Sequence, residues 1–347
     1  MLDPKNILLI RMRAFGDTLL TTPTLRGLKA AYPKAKLSVL VEPAVAKILE
    51  GLPYIDEIVT FDRLASKGKG AWHELKSNLK FWRQLRRQHY DLVLDVLGTP
   101  RTAWLSRITG APTRVGFDFR VRRYAYTHVC VPSKERRYIA DYTADLLRVL
   151  GHEPDSLDLD FVIPSASKAR AGVFFSEQGW QDKSPLAVQN AGGWEIKRYP
   201  AAQMAKAVRQ IVLTSPRPVL YLWGPGEAQA AAELMSLAGV PGALAPLTDF
   251  ADMAALLQKC SFLLTNDTAT KHLAVAVDCP SLTVFGPTSD VAWHPGSSDL
   301  HRSVRMDLEC MPCEALSCRL GTHACMVDLS SEAVATAALG IFEEMRG

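Results

Sequence analysis

Apolar residues recur along the chain in two alternating rhythms. Asn6–Ile10 is a short run of strand-type residues. Thr18–Tyr32 follows, with Leu19, Leu20, Leu25, Leu28 and Ala31 at roughly helical spacing before Pro33 ends the run. Lys36–Val41 reads as the next strand, completing a βαβ unit whose parallel strands require a crossover helix. Further strands are expected near Glu57–Phe61, Asp91–Val96 and Arg114–Gly116, joined by helices such as Trp72–His89 and Ala140–Leu150. Gly151–Ser167 is polar, Pro-containing and weakly periodic, and reads as a linker. The alternation then restarts. Strands are expected at Pro185–Gln189, Val219–Trp223, Phe262–Thr265 and Ser281–Phe285, and helices at Ala201–Leu213, Glu227–Ala238, Met253–Cys260, Asp267–Val277 and Ser331–Arg346. The pattern predicts an α/β protein of two Rossmann-like, doubly wound parallel-sheet domains, 1–165 and 166–330, followed by a C-terminal helix in 331–347. Two such domains facing each other place the carboxyl ends of their strands on a central cleft. Dehydrogenases, periplasmic binding proteins, sugar epimerases and glycosyltransferases all fit that description, so fold alone does not choose.

A length of 347 residues suits two domains, and 48% apolar with 22% charged residues is the balance of a globular protein. No apolar run approaches the ~18 residues of a membrane span. Ile7–Ile10 is too short for a signal peptide and runs straight into Arg11 and Arg13, so the expectation is a soluble, cytoplasmic chain. The net charge is only +4, yet Arg63–Arg137 holds 17 Lys or Arg against 5 Asp or Glu. A basic stretch of that size suits an anionic partner or a set of solvated helix faces. Nucleic acid is not the expected partner, because no recognition module or base-stacking motif accompanies the charge.

Asp17 follows Gly16 in the first strand-to-helix turn, where it either caps the helix or faces the cleft as a general base. The turn Arg-Met-Arg-Ala-Phe-Gly lacks G-x-G-x-x-G, which weakens the dehydrogenase reading. In the second half, Asp267 and Thr268 stand where they can cap a helix that continues through Ala269, Thr270 and His272; the amides of such a helix start suit phosphate. Gly192 and Gly193, with Lys197 beyond them, form a second anion-compatible loop. Glu227, after Gly224-Pro-Gly226, can accept from a ribose or simply complement a helix N-terminus.

Together, Ile10-Arg-Met-Arg-Ala-Phe-Gly16-Asp17, Gly192-Gly193 with Lys197-Arg-Tyr-Pro200, Gly224-Pro-Gly-Glu227, Leu247-Thr248 and Asp267-Thr-Ala-Thr-Lys-His272 resemble the heptosyltransferase family of bacterial lipopolysaccharide assembly. The resemblance runs in order over nearly the whole chain, departing at Ala269, where the family has Gly. It implies a GT-B fold, a nucleotide-sugar donor with ADP-heptose favoured, and metal-independent inverting transfer to the lipopolysaccharide inner core. Asp17 is then the expected base. The donor diphosphate is expected against Gly192, Gly193, Lys197 and the Asp267–His272 helix start, with Glu227 on the nucleotide. Arg11 and Arg13 are expected to bind the acceptor, and Arg63, Arg120, Arg122 and Arg123, with Lys67 and Lys69, to meet both the acceptor and the inner face of the cytoplasmic membrane, to which the protein would bind peripherally. A related transferase with another nucleotide-sugar, or a non-catalytic nucleotide-binding protein on the same scaffold, remains open.

Cys310, Cys313, Cys318 and Cys325, with His323 among them, concentrate potential metal ligands near the C-terminus. The opening Cys-x2-Cys fits a zinc knuckle, but the later spacings do not repeat it. Free thiols packed against the second domain are therefore favoured over structural zinc, and no metal or other cofactor is expected.

Overall fold

The structure, a computed structural model, describes residues 2–62, 71–296 and 300–344, and the side chains among them except at 71–75, 120 and 121. The chain divides into two compact units, Met1–Val162 and Ile163–Gly347.

The first unit runs β1 (Asn6–Ile10), α1 (Phe15–Leu19), α2 (Thr22–Ala31), β2 (Lys36–Val41), α3 (Pro43–Ala46), β3 (Glu57–Thr60), α4 (Ala71–Arg87), β4 (Leu92–Asp95), α5 (Pro100–Ile108), β5 (Thr113–Phe117), a 3-10 turn (Arg120–Ala125), β6 (His128–Cys130) and α6 (Ile139–Arg148). Its sheet is parallel, in the order β3-β2-β1-β4-β5-β6. Alternate residues of β1 serve opposite faces, as the two-residue strand period requires. Ile7 and Leu9 pack with Leu25 and Leu28 of α2 and Leu146 and Leu147 of α6. Leu8 and Ile10 pack with Phe81 and Leu85 of α4 and Leu105 of α5. Burial on both faces is why the strand reads as a continuous apolar run.

The second unit runs α7 (Ser165–Glu177), β7 (Leu186–Gln189), α8 (Ala201–Thr214), β8 (Val219–Tyr221), α9 (Ala228–Ala238), β9 (Gly242–Leu244), α10 (Phe250–Leu257), β10 (Phe262–Asn266), α11 (Ala269–Ala276), β11 (Ser281–Phe285), α12 (Asp290–Trp293), β12 (His301–Arg305), α13 (Ala324–Val327) and α14 (Ser331–Glu344). Its parallel sheet has the order β12-β11-β10-β7-β8-β9, the same winding as the first. Strand order reverses between β1 and β4 in one unit and between β7 and β10 in the other. Open sheets bind ligands in the crevice beyond the carboxyl ends at such a point.

Several expectations shift. The helix expected over Thr18–Tyr32 is two helices, α1 and α2. Thr18, Thr21 and Thr22 turn their hydroxyls back onto the carbonyls of Ala14, Asp17 and Leu19, and Pro23 in the first turn of α2 has no N–H to continue a longer helix. Asp17 accordingly lies on α1 rather than before a helix.

The stretch expected to be a linker is held along the first unit. Arg26 binds Asp155 at 2.9 Å and also binds Asp160 and Ser156, while Tyr54 donates to Asp160 at 2.8 Å. The change of unit falls at Val162–Ile163, and α7 begins at Ser165, so a boundary drawn at 165/166 cuts a helix. α14 packs on α8 within the second unit. No helix among the described residues is long and apolar enough to cross a membrane.

Candidate functional site

Polar side chains terminate both strands at the second unit's switch point. Asn266, the last residue of β10, is fully buried; its Nδ2 donates to Asn190 Oδ1 at 2.9 Å and to the Ala191 carbonyl at 3.0 Å, and its Oδ1 accepts from Tyr199 N–H at 3.2 Å. This one amide fastens the loop bearing Gly192, Gly193 and Lys197 to the loop bearing Asp267. Lys197 ends a 3-10 turn, Glu195–Lys197, with its ammonium 2.8 Å from Asp267 Oδ2 and 4.6 Å from the Trp194 ring centre.

Asp267 is buried and receives two cations. Lys271 Nζ lies 2.7 Å from Oδ1, and Thr288 Oγ1 donates to Oδ2 at 2.8 Å beside Lys197. Burial alone would raise the Asp267 pKa, but Lys271 and Lys197 together overcome it and hold the group well below the usual carboxylate range. Lys271 is itself wholly buried, and that burial draws its pKa below the ordinary lysine value despite Asp267. Its ammonium also donates to the Trp293 carbonyl at 2.6 Å and sits over the Phe285 ring. With one carboxylate and two ammoniums, the ionised cluster carries a net positive charge.

Asp267 does not cap α11, contrary to expectation, because both of its oxygens are committed to this cluster. The N-cap residue is Thr268, and it makes no side-chain bond to the first-turn amides; its hydroxyl donates to Gln189 Oε1 at 3.3 Å instead. The first turn of α11, at Ala269 and Thr270, is thus free of side-chain caps and presents the positive end of the helix dipole. Thr270 Oγ1 points at the Met253 sulfur, 3.4 Å away. His272 is buried, its ring edge-on to Trp293 at 6.3 Å, and burial pushes its pKa well below the usual histidine value, so the imidazole is neutral.

Beside the Gly192 loop lies a cavity of about 340 Å³ lined by Asn190, Arg198, Trp223, Glu227 and His323, among others. Glu227 occupies the N-cap position of α9. Its carboxylate accepts from Gly224 N–H at 3.0 Å and lies 3.6 Å from Arg198, so it both complements the helix start and faces the cavity. Sequence reading overlooked Asn266, Lys271, Thr288 and Trp223, and singled out His323 only as a potential metal ligand, not as a residue of this cavity. The four-residue step from Asp267 to Lys271 was a usable signal; nothing local could place Thr288 or His323.

In the first unit, β1 leads into Arg11, which is buried, with its guanidinium 3.0 Å from Asp17 Oδ1. Burial lowers the Arg11 pKa, while Asp17 and Asp95 favour the charged form. Asp17 Oδ2 accepts from Ala14 N–H at 3.3 Å, so Asp17 does brace the start of α1, yet its side chain remains 27% exposed. Asp95, unnoticed in the sequence, ends β4 at the switch point. It is fully buried, which raises its pKa, and it accepts from Gly98 N–H, Leu97 N–H and the Tyr126 hydroxyl, the last at 2.7 Å. Only glycine at position 116 permits this approach, since a Cβ there would come within 2.3 Å of the Tyr126 ring.

The expected acceptor-binding arginines divide. Arg13 is exposed. Arg122 donates to the carbonyls of Gly98 at 2.7 Å and Phe119 at 3.0 Å, which gives it a structural task at the same loop. Arg123 lies 3.8 Å from Asp118 and is largely exposed. Arg63, Lys67 and Lys69 lie outside the described residues, as does the side chain of Arg120.

None of the four C-terminal cysteines forms a disulfide, and of the four only Cys325 is buried, in the core of the second unit; Cys310 is exposed rather than packed. Among the described residues, no group of three or more His, Cys, Asp or Glu is arranged to hold a metal ion. His323 links this segment to the cavity: its ring nitrogen lies 2.7 Å from the Ile196 carbonyl, and its backbone N–H donates to Cys318 Sγ at 3.3 Å.

The sequence profile of glycosyltransferase family 9 (heptosyltransferase) matches residues 78–324. A lipopolysaccharide heptosyltransferase 3 of Escherichia coli is 28% identical over 319 residues, covering 87% of this chain and 89% of that protein. Among solved structures, a family 9 glycosyltransferase from Veillonella parvula superposes with a TM-score of 0.82 at 20% identity, covering 98% of this chain and 97% of that one. The E. coli ADP-heptose lipopolysaccharide heptosyltransferase II superposes with a TM-score of 0.77 at 19% identity, covering 99% and 100%. The shared architecture is GT-B.

Proposed function

The chain belongs to glycosyltransferase family 9, and we propose that it moves a heptose from ADP-heptose to the inner core of lipopolysaccharide, inverting the anomeric carbon. The observation that carries this reading is the α11 start: uncapped amides stand beside a buried Asp267–Lys197–Lys271 cluster with one positive charge in excess. That is the charge pattern a nucleoside diphosphate leaving group needs, and helix amides with a lysine supply it without a metal. Gly192, Gly193 and Lys197 are assigned to the diphosphate, together with Thr268, Ala269, Thr270 and His272 at the helix start. Glu227 and the neighbouring cavity are assigned to the nucleoside, where a carboxylate accepts from ribose hydroxyls.

In the proposed reaction an acceptor oxygen attacks the anomeric carbon as the bond from that carbon to the diphosphate oxygen breaks. The acceptor proton passes to Asp17, and ADP leaves with its negative charge on the α11 amides and Lys197. Arg11 holds one oxygen of Asp17 and so orients the other. Arg13 and Arg123 are assigned to the acidic acceptor, which is anchored in lipid, so the protein works peripherally at the inner face of the cytoplasmic membrane.

The E. coli relatives named for lipopolysaccharide and ADP-heptose support the donor and acceptor assignment. The test is a thermal-shift series with ADP, UDP, GDP and CMP, followed by transfer from ADP-heptose to deacylated core saccharide. Selective stabilisation by ADP with release of ADP on transfer is expected. Selective stabilisation by UDP would move the donor to a hexose or hexosamine, and nucleotide binding without transfer to any core acceptor would leave a non-catalytic binding protein.

A further inference from the structure

The first unit carries a surface of which the proposed reaction uses only Arg123, at its edge. Lys76–Arg87 of α4, all of α5 and the 3-10 turn Arg120–Ala125 together hold ten Lys or Arg and no carboxylate. The three elements are neighbours, for α5 packs on both α4 and the turn. Within this basic field, large aromatic side chains face outward. Trp104 of α5 is 53% exposed and Tyr124 of the turn 78% exposed. Trp82 of α4 meets Trp104 edge-on at 6.4 Å, and Arg107 reaches the Tyr124 carbonyl at 3.5 Å, so the aromatic and basic groups share one patch. Arg101, Trp104 and Arg107 recur every three residues along one exposed side of α5. Arg107 also lies near enough to Arg114 for the two charges to repel, which lowers the Arg114 pKa after burial has done so.

A water-facing protein surface does not ordinarily combine exposed Trp and Tyr with so large an excess of positive charge, which Asp118 relieves only at Arg123 among the described pairs of this face. An anionic bilayer rewards both. Indole and phenol rings are favoured at the headgroup level, where one end is apolar and the other wet, and basic side chains are drawn to anionic headgroups. We propose that the α4–α5–turn face, centred on Trp104, Tyr124, Arg101 and Arg107, docks the protein on the surface of an anionic phospholipid bilayer. The inference rests on the proposed reaction in one respect, that its acceptor is lipid-anchored; the contact itself concerns lipid headgroups and needs no acceptor.

The experiment is co-sedimentation of the full chain with acceptor-free vesicles, of phosphatidylcholine alone or of phosphatidylcholine and phosphatidylglycerol in equal parts. Wild type is expected to bind the mixed vesicles and to release with added salt. The W104A/Y124A and R101E/R107E double variants should each lose binding on the order of tenfold, while ADP raises their unfolding temperature as it does that of wild type. Equal binding of wild type to both vesicle types, or undiminished binding of both variants, overturns the proposal. So does a patch that serves the saccharide instead: soluble deacylated core protecting wild type but not the variants, with no vesicle binding by either. Transfer to that soluble core reports on the reaction independently, so a protein that binds mixed vesicles but never transfers heptose would sink the proposed reaction and leave the docking face standing.

Discussion

Lys271 Nζ sits 2.7 Å from Asp267 Oδ1, one helical turn away, and neither side chain has access to solvent sufficient to hydrate its charge. The pair decides what Lys197 can do. Asp267 shared between two ammoniums grips Lys197 less exclusively than Asp267 alone would, and it leaves a positive charge for a bound diphosphate.

The first prediction follows from that sharing. Lys271→Met removes one partner of a buried ion pair, which costs about 3 kcal/mol when no group replaces it. Asp267 then holds Lys197 as its only cation, and the cluster becomes neutral. Urea unfolding should show the loss of stability, and calorimetric titration should show ADP affinity reduced about tenfold. A variant that unfolds like wild type and binds ADP equally well would mean that Lys271 neither supports Asp267 nor contributes its charge.

Asp17 supplies a sharper separation of roles. Asp17→Asn keeps the size and one acceptor oxygen for the Ala14 N–H, but it cannot take a proton at neutral pH. Turnover should fall by about 10²–10⁴, with ADP affinity unchanged and a loss of stability of at most about 3 kcal/mol, because the buried Arg11 guanidinium loses its ionised partner. Arg11→Met should lower turnover through Asp17 while leaving ADP affinity intact. Near-wild-type turnover in Asp17→Asn would assign the residue to bracing α1 alone.

How much of this was open to sequence reading depended on where the determining contacts lie. The β1–β2 unit, the central strands and the order of the loops were legible because buried parallel strands are short uniform apolar runs between helices. β12, with the sequence His301-Arg-Ser-Val-Arg305, and β9, only three residues long, were missed because edge strands are covered on fewer sides and tolerate polar or small residues. α7 was partly absorbed into the expected linker because Ser165-Ala-Ser-Lys-Ala-Arg-Ala-Gly lacks a strong apolar stripe. At the site, Asp267 was visible as an acid before a helix. Its true task, between Lys197 and Lys271, depends on a contact 70 residues away in the chain. Asn266 and Asp95 act through buried polar bonds that no periodicity encodes.

Cys318 is set apart from the other thiols by its backbone surroundings. The N–H of His323, followed by those of Leu320, Gly321 and Thr322, draws its pKa below the ordinary cysteine value, whereas burial pushes Cys130 and Cys325 up to about 11 and Cys279 to about 12. Since the thiolate is the nucleophile, iodoacetamide at neutral pH should label Cys318 before any of these three, with peptide mass spectrometry reading the order. Equal labelling of Cys318 and Cys325 would show that the amide contacts do not persist in solution. His323 shares this loop with the cavity, so labelled protein should also bind ADP more weakly.

The last prediction concerns acid. His294 and His301 are buried, and burial lowers each pKa to about 4. Both are therefore neutral in the folded chain at a pH where the unfolded chain, with a histidine pKa of about 6.5, already binds protons. Across that interval the unfolded state takes up more protons than the native one, so stability must fall as pH falls from about 6.5 towards 4. The contribution of each is at most about 3 kcal/mol over the full interval. Asp267 adds a later loss of the same sign: its depressed pKa stabilises the fold above about pH 4, and that stability is lost as the solution becomes more acid still. Urea midpoints measured between pH 7 and pH 4 should fall steadily. In His301→Gln, which keeps a polar partner for the Ser281 hydroxyl now 2.9 Å from the imidazole, the slope over the upper part of that range should be shallower. An unchanged slope would mean that His301 is protonated as readily in the folded chain as in the unfolded one, and that its burial carries no energetic weight.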